Sequence, residues 1–331
     1  MSHLELIIPF GIPPANLAKD LLKEMHTPAL LRLIACAGKA QVQSADDFSR
    51  ALSYEYWLAD GFPPKENANS PSSAWNRMQS HGLTPEAGHW FILQPVHIHI
   101  ARDHLVLTDQ RRLNISEAES HPLFEQAKAS CEEMGLQLLF GDAQTWFLRA
   151  DDWADLQTAT VDAACGHNID IWMPKGEFER PWRKLQNEIQ MQWFTHDINA
   201  QREVRGAKVI NSVWISGGAQ SLNPDLKQVS LAGDYTQHLS QSQAANQQIP
   251  VLLSNLCEAA INNDWALWLD NMHELEKNWF SPLLAGLQNK QITGLKLNFS
   301  DAHRIASFDL TPWSLRKFWV KPSLHHLFSI S

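Results

Sequence analysis

Tyrosine is almost missing from this chain of 331 residues, which holds 3 Tyr against 14 Trp. Indole supplies large apolar area plus one donor, so it suits thick cores and aromatic ligand walls alike. The tryptophans run from Trp57 to Trp319 without a repeat, and that scatter favours core. Cysteine is sparse too. Cys36, Cys131, Cys165 and Cys257 stand far apart with no CxxC pair, so the chain carries neither a zinc knuckle nor a thioredoxin-like motif. They read as small buried apolar residues in a reducing compartment. Positive charge is in deficit, with a net charge of −9 and a pI near 5.9, which argues against a broad footprint for nucleic acid or anionic lipid. No stretch approaches the roughly 20 apolar residues of a membrane span, and the run at 4–10 is too short and lacks the basic start of a secretory leader. The expectation is a cytoplasmic protein without nucleic-acid or membrane partners.

What is present alternates between helical and strand patterns. The run 4–10 (LELIIPF) reads as a buried first strand, followed by helices over 16–25 and 28–38, the second opened by Thr27-Pro28. A third helix is expected from Ser44 to Gly61, and 62–73 (FPPKENANSPSS) reads as a loop excursion. Strands follow at 89–100 and 104–108, then a helix from the Ser116/Glu119 capping box to Gly135 and a hairpin over 136–148. Residues 151–175 are irregular and acidic. Later come a strand at 210–216, a short strand at 228–231, a polar helix at 237–246, a buried strand at 265–269 (WALWL) and a helix at 273–288. A hairpin over 292–310 and a short helix after Pro312 close the chain. The fold class expected is α/β, with a mixed, mostly parallel central sheet flanked by helices and antiparallel hairpins. Residues 1–331 read as a single domain with a subdomain inserted at about 44–135.

The stretch 181–218 concentrates uncharged polar side chains among large apolar ones. A buried amide without partners costs about 1–3 kcal/mol, so this composition marks a polar network or a ligand wall. On its helix, Trp182, Leu185, Ile189 and Trp193 share one face. Asn187, Met191 and Phe194 occupy the other, which predicts a helix covered on both flanks. The strand after it ends in Ser216-Gly217-Gly218, where open α/β sheets place ligands. The candidate pocket for an anion or phosphorylated metabolite comprises Asn187, Gln190, His196, Asn199, Arg202, Asn211, Ser216 and Gly217. The alternative is a polar core fixing helix to sheet. WISGG lacks the glycine that precedes a hydrolase serine, so Ser216 is not expected as a nucleophile.

A second constellation, His97, His99, Asp103 and His104 in PVHIHIARDHLVL, sits on two strands and a tight turn. That geometry offers a site for a divalent cation, manganese or zinc, while the rival reading leaves the histidines in solvent. The closing WSLRKFWVK (313–321) reads as an amphipathic clamp or a docking patch for a protein partner.

LQNEIQMQWFTHDIN, REVRG and NSVWISGG, with LIIPF and PVHIHIARDHLVL, resemble a bacterial family of RpfE-type regulatory proteins, some of which carry the label of cofactor-independent phosphoglycerate mutase. The likeness covers most of the chain and brings no assigned reaction. TPALLRLIACAG (27–38) looks like the TPNLDRLAAEG segment of the phosphoglycerate mutase and alkaline phosphatase superfamily, which works with two divalent metals and a Ser or Thr nucleophile. Here the first strand ends in Phe10-Gly11 without a metal-binding Asp. The resemblance therefore implies a degenerate metal site and favours a regulatory, ligand-binding protein over turnover. The alternatives are a metal-dependent phosphomutase or phosphohydrolase, and a protein-interaction scaffold.

Overall fold

Short apolar runs and helical stripes assemble into two compact units in the computed structural model, which describes residues 2–59, 61–245, 249–317, 319–321, 323–324 and 327. One unit combines Met1–Asp47 with Lys227–Ser331, and the other is Phe48–Leu226. The excursion expected at about 44–135 thus compares with an observed second unit that begins at Phe48 and continues to Leu226. The strands among the described residues are β1 (Ser2–Ile8), β2 (Gln41–Ser44), β3 (Trp90–Val96), β4 (Ile98–Ala101), β5 (His104–Leu107), β6 (Gln137–Asp142), β7 (Thr145–Arg149), β8 (Ser212–Ala219), β9 (Val251–Leu252), β10 (Ile292–Ser300) and β11 (Arg304–Leu310). The helices are α1 (Ala15–Glu24), α2 (Pro28–Ala37), α3 (Ser53–Ala59), α4 (Ala74–Ser80), α5 (Glu117–Glu133), α6 (Val161–Ala164), α7 (Glu179–Phe194), α8 (Asp197–Val204), α9 (Tyr235–Ala245), α10 (Cys257–Ile261), α11 (Trp265–Leu275) and α12 (Ser281–Gln288). Asn246, the end of the expected polar helix, and Phe318 in the closing segment lie outside the described residues. No described helix is long and apolar enough to cross a membrane.

The first unit is built on a mixed sheet in the order β2-β11-β10-β1-β9. β1 runs parallel to β10 and β9, while β10–β11 and β11–β2 are antiparallel. Alternation does the sorting, because successive side chains point to opposite faces. Leu4, Leu6 and Ile8 join Leu295, Leu297, Phe299 and Phe308 in one core with Leu30, Leu33, Trp268, Met272 and Leu283 from α2, α11 and α12.

Three expectations fail in this unit, and the first is the short strand at 228–231, where only Ser230 makes an isolated bridge to Val251. The run 265–269 forms the start of α11 rather than a strand, since five apolar residues do not distinguish the two periods. Burial at Trp268, Met272 and Leu275 follows the helical spacing, and the Asp264 carboxylate accepts from Leu267 N at 3.3 Å to open the helix. The helix expected from Ser44 is also corrected: residues 41–44 (QVQS) pair with β11 as an exposed edge strand, and α3 begins only at Ser53.

The second unit carries an antiparallel sheet ordered β6-β7-β3-β8 and a separate β4–β5 hairpin. Phe91, Leu93, Trp146, Leu148, Val213 and Ile215 pack against Phe124 of α5 and Trp182, Leu185, Ile189 and Trp193 of α7. Trp90 and Phe147, pointing the other way, meet Ala74 and Met78 of α4. The Ser116/Glu119 signature opens α5 as expected, with the Glu119 carboxylate accepting from both Ser116 N and Oγ at 2.9 Å.

Candidate functional site

Gln186, Asn199 and Asn211, amides of the stretch 181–218, are engaged by their own chain. Asn199 is 3 % exposed and uses its whole side chain: Nδ2 donates to Trp193 O and Ile210 O, and Oδ1 accepts from Ile210 N. It closes the end of α7 and ties it to the approach to β8. Gln186 donates to Val213 O at 2.8 Å. Asn211 both accepts from Ile98 N and donates to Ile98 O, replacing a strand partner at the foot of β4. His196 caps α8 by accepting from Ile198 N. Arg202 is 1 % exposed and donates to Lys208 O, Leu113 O and the Glu119 carboxylate, which Arg205 also contacts. Asn199→Ala, which strands three backbone groups, is expected to lower unfolding stability by about 2–4 kcal/mol in denaturant titrations.

The helix covered on both flanks is corrected. Trp182, Leu185, Ile189 and Trp193 are buried as the spacing predicts, but Asn187, Gln190, Met191 and Phe194 face water, because α5 and the sheet cover only one side of α7. Asn187 and Gln190 therefore need no interior partner. Ser216 lies buried on β8 opposite Ile92. Gly217 has φ +67° and donates its N–H to Ser70 Oγ, while a Cβ there would come within 2.8 Å of Ser73 Oγ. The loop at 69–73 fills this strand end. Asn69 Oδ1 accepts from Ser70 N and Thr158 N, anchoring the loop instead of leaving it as a surface excursion.

The histidine cluster divides in two. On the hairpin, cross-strand partners share a face, and the pairs His99↔Val106 and Ala101↔His104 place all three histidines on the same side. His97 and His99 stack with ring centroids 5.6 Å apart. His97 Nδ1 donates to Val209 O at 2.8 Å, which fixes its tautomer and leaves Nε2 for another partner. His99 Nδ1 lies 3.3 Å from Thr108 Oγ1. Asp103 and His104 form their own 3.0 Å pair at the tip. Among the described residues no three or more His, Cys, Asp or Glu side chains gather closely enough to hold a metal ion. The imidazoles of His97 and His99 are both held below the ordinary range. Burial is the leading cause, and the positive charge of exposed Lys208 adds to it, with Arg202 contributing at His97.

At the foot of the hairpin lies a carboxylate cluster with no contiguous sequence signal. Arg111 grips Asp162 through two bonds of 3.0 and 2.9 Å and also binds Asp109. Tyr54 donates to Asp162. Glu55 accepts from Leu52 N and Thr160 Oγ1. The Glu55 residue keeps some surface in water, yet its carboxyl is enclosed, and burial followed by the Asp162 charge pushes it up to about 8.

In the first unit, the Thr27-Pro28 start of α2 holds an internal anion. The Glu276 carboxylate accepts from Ala29 N at 2.6 Å and Leu30 N at 3.0 Å, occupying the helix N-terminus. A phosphate would have to displace it.

No known family profile matches the chain, and no curated protein matches it. The likeness to the RpfE-type family thus remains one of motifs. Among solved structures, a cofactor-independent phosphoglycerate mutase from Thermoplasma acidophilum aligns at 12% identity with a TM-score of 0.38, covering 94% of this chain and 90% of that one. A protein from Pyrococcus horikoshii aligns at 11% identity with a TM-score of 0.47, covering 94% and 88%. Both likenesses are too distant to transfer an activity.

Proposed function

We propose that the chain binds a small anionic metabolite, such as a phosphorylated one, on the histidine face of the β4–β5 hairpin, and that it serves as a cytoplasmic regulatory protein. The observation carrying this reading is the stacked His97–His99 pair beside Lys208. Positive charge acting on two neutral imidazoles repels an incoming divalent cation and attracts an anion. An arriving phosphate raises the imidazole pKa values, so the rings bind it as charged donors. The regulatory role follows the RpfE-type resemblance, and the ligand class follows the charge. The pocket moves from 181–218 to the hairpin because the buried amides of that stretch are committed to backbone groups.

Isothermal titration with inorganic phosphate is expected to show binding that Lys208→Ala weakens by about tenfold. Lys208 is exposed, so its removal leaves the fold intact. Stoichiometric zinc or manganese lost on His97→Ala, with no phosphate binding, would contradict this reading in favour of a metal-dependent phosphomutase or phosphohydrolase. Binding of neither would favour the protein-interaction scaffold.

A further inference from the structure

The exposed side of α7 is a single stripe. Arg180, Arg183, Lys184, Asn187, Met191 and Phe194 recur at helical spacing along its outer face, and those up to Met191 line a shallow depression whose edge carries Glu188. Met191 is 76 % and Phe194 84 % exposed, an apolar end left in water by the fold. At the other end Arg180 follows the acidic Glu179 in the first turn, and Arg183 and Lys184 stand in the second. The exposed apolar end is unfavourable in an isolated monomer, and the cationic and apolar ends lie symmetrically about Asn187.

We propose that this stripe docks on the same stripe of a second copy of the chain, as an antiparallel α7 pair about a two-fold axis through Asn187. Such an interface is isologous, so each residue i meets a residue j whose number reflects it through the axis. Arg180 then meets Phe194 of the second copy, Arg183 meets its Met191, and Lys184 meets its Gln190. The Arg180 guanidinium of each copy lies on the Phe194 ring of the other, beside the negative end of the opposing helix. The aliphatic stems of Arg183 and Lys184 cover the Met191 thioether. At the axis, two Asn187 amides are self-complementary, each offering a donor and an acceptor. The stripe spans about 21 Å, four helical turns, so the contact is small and the dimer is expected to be weak.

Sedimentation equilibrium of the full chain, run up to high micromolar concentration, is expected to show a monomer–dimer equilibrium. Phe194→Asp and Arg180→Glu, both at exposed positions, should each weaken it by about tenfold or more. All four native cysteines are buried, so Asn187→Cys supplies an accessible thiol. Oxidised glutathione should convert two such thiols into one intermolecular disulfide, releasing two reduced glutathiones. Gln201→Cys, exposed on α8, should cross-link far more slowly. A strictly monomeric wild type, dimerisation undiminished by Phe194→Asp, or equal cross-linking at the two cysteines would overturn the proposal.

Discussion

Replacing Arg202 with Met is expected to cost about 3–5 kcal/mol of unfolding free energy, because it leaves a buried carboxylate without its main partner. The guanidinium is almost wholly enclosed and satisfies Glu119, Leu113 O and Lys208 O together. Without it, the Glu119 carboxylate stays buried with only Ser116 and the more exposed Arg205 beside it. The pH profile supplies a second readout. Burial by itself would raise the Glu119 pKa, but hydrogen bonds from Ser116 and Arg202 outweigh it and hold the group at about 2. A folded pKa below the unfolded one gives stability that is present above about pH 4.5 and lost as pH falls towards 2, roughly 3 kcal/mol in all. Chemical denaturation across that window should show the step in the wild type and a smaller one in Arg202→Met, where the Ser116 hydrogen bonds remain.

The opposite sign applies at Glu55. Its carboxyl is held at about 8, first by burial and then by the charge of Asp162, while Arg111 acts in the other direction. Between about pH 4.5 and pH 8 the unfolded chain has released this proton and the native chain has kept it. Wild-type stability therefore falls as pH rises through that window, by up to roughly 4 kcal/mol. Glu55→Gln keeps an oxygen to accept from Leu52 N and Thr160 and cannot ionise. The variant should be more stable than the wild type at about pH 8 by several kcal/mol, and the two should converge near pH 5. Denaturant midpoints measured along this range decide the matter, and parallel profiles for the two proteins would contradict it.

Most of the fold was legible where burial and period agree. The stripe Trp182, Leu185, Ile189 and Trp193 marks the inner face of α7, the Ser116/Glu119 pair marks the start of α5, and the alternation in 292–310 marks the β10–β11 hairpin. WALWL was ambiguous because a run of five apolar residues fits either period. The unusual composition of 181–218 was also legible, but not its purpose. An amide committed to a backbone carbonyl and one lining a pocket look the same in a sequence, and only the partners of Asn199 and Asn211 separate them. Glu55, the Asp109/Arg111 pair and Asp162 lie too far from one another in the chain to signal one cluster, since only folding brings α3, the foot of the hairpin and α6 together. Lys208 carries no local signal for a similar reason: its effect on His97 and His99 crosses more than 100 positions of sequence.

If the hairpin's histidine face receives an anion, the histidines themselves report on it. NMR titration of His97 and His99 should find both imidazoles ionising below the ordinary range in the free protein, where burial and Lys208 hold them down. Saturating inorganic phosphate should move both pKa values upward, and Lys208→Ala should weaken the phosphate dependence. Histidine titrations unchanged by phosphate, or shifted instead by stoichiometric zinc, would contradict the account.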